Sequence, residues 1–345
     1  MNTINKRIEY IDAMRGFTMI LVVVSHVLGS YHCDAINSYT TLFKCFRMPL
    51  FFFISGWVLY KKDVIWDCPF LKSFLKKKFL VQIIPTAIFM SVVLLRRSEI
   101  TWKSFDYFKS GYWFTIALFE YFVIYSFFRA TSRLIQKNRY EDQIVLLSGL
   151  LIYLLYYCLL VSDEDTSTKA KIINYIGIQQ WCYYIFFCIG TLVKKYYNSF
   201  VELSDQHFII TIVLILFFCI SIFFNQLSIP LWNTIKFLTL GTTGIFIVLT
   251  FFRRNEANFK NDHKIGFGLQ YIGRRTLDIY LLHYFFLPGD LSSLGAFLER
   301  NGSPVVEFVI SLLLASITIS ICLVVSNVLR MSPFLATYLF GANVK

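Results

Sequence analysis

The stretch Tyr10–Leu28, YIDAMRGFTMILVVVSHVL, sets an arginine and a histidine inside an otherwise apolar run. As a helix such a run rises about 28 Å, close to the thickness of a bilayer's hydrocarbon core. Ionisable side chains are costly there and face the bundle interior or a water-filled cavity. Arg15 and His26 are separated by about three helical turns, so they share one face roughly 16 Å apart along the axis. Asp12 precedes Arg15 by three residues, close enough to pair with it. Taken singly, Arg15 reads as a snorkelling anchor and His26 as a helix-packing hydrogen bond. Taken together, on one face and at opposite depths, they point to a polar slot through a helical bundle. Imidazole is also the side chain best suited to accept and return a proton near neutral pH.

The rest of the chain agrees with a bilayer as its solvent. Of 345 residues 57% are hydrophobic and 19% aromatic, with mean hydropathy +0.60, more apolar surface than a soluble chain of this length carries. The first apolar run holds Arg15 and lacks a small-residue cleavage site, so it is read as a retained helix. Ten apolar spans follow one another, at about 11–30, 42–60, 79–95, 112–129, 143–161, 175–193, 207–225, 231–252, 269–288 and 305–329. The expected fold is an all-α integral membrane protein of about ten transmembrane helices, with residues 1–345 forming one domain.

The formal net charge of +12 raises the question of nucleic acid. The distribution of charge answers it. With the N-terminus placed in the cytoplasm, 22 of the 33 Lys and Arg fall in inner segments, nine outside and two within spans. That asymmetry favours both termini inside and an even number of crossings. The basic charge is read as cytoplasmic loops facing membrane lipids, with no nucleic-acid partner. The eight cysteines contain no CxxC pair and mostly lie in apolar runs, where Cys is a small hydrophobe. No metal site is expected; a Cys33–Cys45 disulfide is left open.

Further polar residues lie inside apolar spans. In RRTLDIYLLHYFF, Arg274–Phe286, His283 sits mid-span with Tyr280 one turn earlier on the same face, and Asp278 is placed to pair with Arg274 or Arg275. In GYWFTIALFEYF, Gly111–Phe122, Glu120 lies near mid-span and needs a partner or a proton. Ser55-Gly56 reads as close helix packing at Gly56, with Ser55 open. Pro49 and Pro85 mark helix starts or kinks.

These same segments resemble the membrane acyltransferase family 3, the polysaccharide O-acetyltransferase type. YIDAMRGFTMILVVVSHV is similar to its Asp-x-x-Arg followed by ten residues and His. FRMPLFFFISGWVL (Phe46–Leu59), GYWFTIALFEYF, YYIFFCIGTLVKKY (Tyr183–Tyr196) and TLDIYLLHYF (Thr276–Phe285) resemble four further blocks, in order along nearly the whole chain. One departure occurs in FLKKKFLVQIIP, Phe74–Pro85. Lys78 matches one of two spaced arginines in charge, and the other is missing near Val81 or Gln82. Lysine lacks the planar fork of arginine.

The resemblance implies a multi-pass enzyme of a bacterial cell (inner, plasma) membrane, an acyltransferase for groups other than amino-acyl. It would move acetyl from cytoplasmic acetyl-CoA, a co-substrate, to a hydroxyl of a surface or lipid-linked polysaccharide. On this reading His26 is the general base and Arg15 the donor-side residue. Arg15, Lys76, Lys77 and Lys78 face the CoA phosphates. His283, Tyr280 and Ser55 are candidate oxyanion donors, and Asp12 and Glu120 are supporting residues. Tyr31, Trp102 and Tyr112 would either stack on sugar rings or anchor at the interface. A transporter or flippase for a lipid-linked sugar would also need a polar slot, but the chain lacks paired Gly/Pro-broken helices in corresponding halves. Succinyl in place of acetyl is a further alternative.

Overall fold

A computed structural model describes residues 8–31, 38–62, 64–97, 104–135, 140–160, 177–223, 230–301 and 303–342. Among these there are helices and no strands. Most of the described residues in the ten apolar stretches are helical. Six helices are long and apolar enough to cross a membrane, or seven if the bent pair Tyr197–Asp205 and His207–Phe217, folded by 85°, counts as one span. The chain divides into two compact units, residues 1–51 with 201–327, and residues 52–200 with 328–345.

The first unit is built on α1 (Glu9–Gly29). It also holds the N-terminal half of α2 (Ser38–Leu59); residues 52–200 belong to the second unit. The first unit then takes up the end of α8 (Tyr197–Asp205), α9 (His207–Phe223), α10 (Pro230–Arg254), α11 (Lys264–Arg274), α12 (Thr276–Phe286), α13 (Ser292–Asn301) and α14 (Pro304–Leu329). The closest approach in it is between α1 and α11. A β-carbon on Gly16 would collide with the Leu269 carbonyl, and one on Gly273 with the Asp12 carbonyl. Two glycines thus let two backbones touch, the small-residue packing that replaces the hydrophobic effect between helices in lipid.

The expected ninth span is not one helix. It breaks at Arg275 (φ −106°, ψ 18°), between α11 and α12. Arg275 N–H bonds back to the Ile272 carbonyl at 3.0 Å and Thr276 Oγ1 donates to the Gly273 carbonyl at 2.5 Å. This tight turn satisfies the α11 end, and α12, about 16 Å long, is too short to cross alone.

In the second unit α3 (Cys68–Lys78) starts earlier than the apolar pattern suggests. Asp67 caps it by accepting from Phe70 N–H at 2.9 Å, with Pro69 in the first turn, a strong N-terminal signal. It runs through a π-helical segment, Phe79–Ile83, into α4 (Ile84–Arg97). Pro85 has no N–H for the Val81 carbonyl, which removes an α-helical bond where the wider turn forms. Next come α5 (Ser104–Ile135), kinked at Tyr112, and α6 (Glu141–Leu160). A 3₁₀ turn (Ile178–Tyr183) then leads into α7 (Tyr184–Lys195). The last helix is α15 (Pro333–Phe340).

The second unit has its own glycine seam. A β-carbon on Gly56 would collide with the Phe187 carbonyl, and one on Gly190 with the Phe53 carbonyl, so the packing role expected of Gly56 is met. Around it Phe52 packs on Tyr121 (ring centroids 4.8 Å), Phe114 (4.9 Å) and Tyr183 (5.4 Å). At the basic end of this unit Arg129 pairs with Glu141 and Lys195 with Asp142 at 2.6 Å. Tyr196 also donates to Asp142, and that bond raises the pKa of its hydroxyl. The acidic loop 162–169, Cys33 and Trp102 lie outside the described residues.

Candidate active site

The first unit gathers the titratable residues of α1 and α12. His26, near the end of α1, is partly exposed, whereas His283 is wholly buried. Their ring centroids are 5.0 Å apart, with planes inclined by 46°. Tyr284 stands 4.0 Å from His283 and 5.3 Å from His26, and the Tyr280 ring is 5.8 Å from His283. Two helices far apart in sequence thus contribute one cluster of two imidazoles and two phenols.

The hydrogen bonds of His283 set its tautomer. Nδ1 lies 2.7 Å from the Tyr280 carbonyl and 3.2 Å from the Ile279 carbonyl. Carbonyls only accept, so the neutral ring carries its proton on Nδ1. Nε2 then presents a lone pair, and it is buried with no hydrogen-bond partner among the described residues. A buried polar atom without a partner is costly and marks a place where a ligand, a water or a moving proton is accommodated.

Below this cluster the face of α1 carries Arg15, half-buried, and Asp12, buried. The structure gives Asp12 a partner on another helix, Arg274, at 3.7 Å. Asp278 is also buried. It takes Arg275 at 3.3 Å and the Ser326 hydroxyl at 2.5 Å, so it serves the turn at Arg275.

The other residues singled out in the sequence belong to the second unit. Glu120 on α5 accepts a long hydrogen bond from Trp181 Nε1, 3.4 Å. Ser55 lies on α2, half-buried beside Gly56. Lys76 and Lys77 are exposed on the last turn of α3, not in a loop. Lys78 Nζ sits 4.2 Å over the Phe122 ring, a cation–π contact. Val81 and Gln82, near which the resemblance expects an arginine, lie in the π segment, and the Gln82 Oε1 is buried without a hydrogen-bond partner among the described residues. Tyr31, in the first unit, is 1% exposed and its hydroxyl meets Ser311 Oγ at 2.9 Å, so it offers no open face to a sugar. Tyr112 is equally enclosed.

Three residues escaped the sequence reading. Tyr284 carries its signal in plain view, next to His283 in LLHYFF. Ser326 and Glu307, both buried on α14, are polar groups in an apolar span, the same signal that picked out His283. No group of three or more His, Cys, Asp or Glu is arranged to hold a metal ion among the described residues.

Membrane-length apolar helices define a multi-pass membrane protein, and two of its helices bring a titratable cluster together. A family model described as an acyltransferase domain, acyltransferase 3, matches residues 8–327. The chain belongs to that family and is a membrane acyltransferase; the matched region runs through both units. No curated protein and no solved structure matches it.

Proposed function

We propose that the protein transfers an acetyl group from cytoplasmic acetyl-CoA to a hydroxyl of a surface or lipid-linked polysaccharide, with His26 as general base. The observation that carries this reading is the approach of His26 and His283, the first partly exposed and the second enclosed. His26 takes the proton of the acceptor hydroxyl as its oxygen attacks the thioester carbonyl carbon. The carbon–sulfur bond breaks, and the departing CoA sulfur takes up the proton held by His26. A transient acyl-His26 would give the same products in two steps.

The tautomer revises one role. With Nδ1–H held by backbone carbonyls, neutral His283 has no N–H to offer an oxyanion. It acts instead as an acceptor beside His26, a positioning residue. Oxyanion donation falls to a hydroxyl, that of Tyr280 or Tyr284 in this cluster; Ser55 remains a candidate by residue type. Arg15, about 16 Å along α1 from His26, marks the donor side of the first unit. Lys76 and Lys77 attract the CoA phosphates to the basic end of the second, with Lys78 held by Phe122. On this reading both termini lie in the cytoplasm of a bacterial inner membrane, with acetyl-CoA on the Arg15 side and the glycan on the His26 side.

The test is transfer of labelled acetyl from acetyl-CoA by purified protein, with mass analysis of surface glycans from cells. His26→Ala should abolish both while the protein stays in the membrane; full residual transfer would remove His26 from the mechanism. A succinyl increment in the glycan mass would replace acetyl as the donor group.

A further inference from the structure

A cavity of about 870 Å³ opens in the first unit, between α1, α10, α11 and the turn that joins α10 to α11. Its walls are apolar, with Phe17, Phe252 and Leu269 prominent, and its polar residues are Asn258, His263 and Lys264. The three fall within seven residues of sequence at one end of the helices, so the cavity has an apolar body and a polar, basic mouth. Its volume lies within the ~300–1,000 Å³ typical of ligand sites. It is distinct from the cluster around His26. Phe17 follows Arg15 by two residues, about 200° around α1, so it faces away from the Arg15–His26 side.

The shape and charge select a ligand class. Phe251 and Ile265 in the lining, with Phe267 beside it, are exposed at 55%, 70% and 58%, so the cavity opens on an apolar outer surface, as a bilayer-facing wall requires. Lys264 is exposed at the mouth, and Lys260 is exposed four residues before it. Glu256 and Asp262, in the same turn, do not line the cavity. Basic pockets between membrane helices bind anionic lipid headgroups. We propose that this cavity binds one anionic phospholipid, its acyl chain lying against Phe17, Phe252 and Leu269 and its phosphate meeting Lys264 and His263. With the topology above, that lipid belongs to the inner leaflet. Leu269 also forms the close contact with Gly16, so the lipid lies against the α1–α11 seam.

The test is native mass spectrometry of the full-length protein released from nanodiscs of equal phosphatidylglycerol and phosphatidylethanolamine. Binding is independent of acyl transfer, so His26→Ala protein should behave like wild type. One phosphatidylglycerol should be retained in preference to phosphatidylethanolamine. Lys264→Glu, at an exposed position that leaves the core intact, should lower that retention roughly tenfold. Val248→Trp, which fills the cavity, should remove retention of both lipids. Headgroup-blind retention, retention unchanged in Lys264→Glu, or displacement of the lipid by CoA would each overturn the proposal.

Discussion

The two glycine seams use one backbone device for opposite ends. In the first unit Gly16 and Gly273 bring α1 and α11 into contact beside Asp12, Arg15 and Arg274. In the second, Gly56 and Gly190 do the same amid Phe52, Phe53, Trp57 and Phe187. Around the first seam an ion pair, Asp12 with Arg274, joins the two helices. Aromatic rings around the second fill space and exclude water. Backbone contact between helices is therefore not a mark of function; the side chains flanking it are.

Substitutions can break this comparison. The largest effect is expected at the seams themselves. Gly16→Val, Gly273→Val and Gly190→Val each drive a side chain into a backbone carbonyl and should cost about 4 kcal/mol or more, read as lost folded protein in detergent thermal scans. Phe52→Ala should follow, at about 3–5 kcal/mol, because a fully buried ring leaves a cavity among Tyr121, Phe114 and Tyr183. Asp278→Asn, which removes the buried partner of Arg275, should cost about 3 kcal/mol in the same scans. If Asp278→Asn proves harmless while Phe52→Ala does not, the first unit is held by its seam alone. The smallest effect has the opposite sign. Gly268→Ala meets nothing within 4 Å and should stabilise α11 by about 0.5–1 kcal/mol.

What the sequence made legible follows from distance along the chain. The Arg15–His26 face is written within one helix, so the period alone finds it. The capped start of α3 is also local, in Asp67, Pro69 and the run that follows, yet the apolar pattern hid it because Lys72, Lys76, Lys77 and Lys78 interrupt the hydrophobicity. The approach of His283 to His26 joins positions 257 residues apart, and only the order of the blocks in the resemblance hinted at it. Of the glycine seams only Gly56 was legible, as a small residue in an apolar span; the partners were not, since each is a distant carbonyl, which every residue possesses. The break at Arg275 was masked by apolar residues on both sides of two adjacent arginines. The lipid-sized cavity draws its walls from three helices and a turn, and no one segment announces it.

The π segment at Phe79–Ile83 has a consequence for any change of chain length nearby. Ile84 N–H reaches back to the Phe79 carbonyl, so one residue more than an α-turn is accommodated there. Deleting a single residue between 79 and 83 would let the helix close into ordinary α geometry. Everything on its N-terminal side would then keep its azimuth relative to Thr86, whose hydroxyl meets Thr115 at 2.8 Å. Deleting one residue from the regular turns of α4 beyond Thr86 would instead rotate Lys76–Lys78 together with Thr86 by about 100° against the rest of α4. The surplus residue is absorbed locally, so the three lysines point the same way with it or without it.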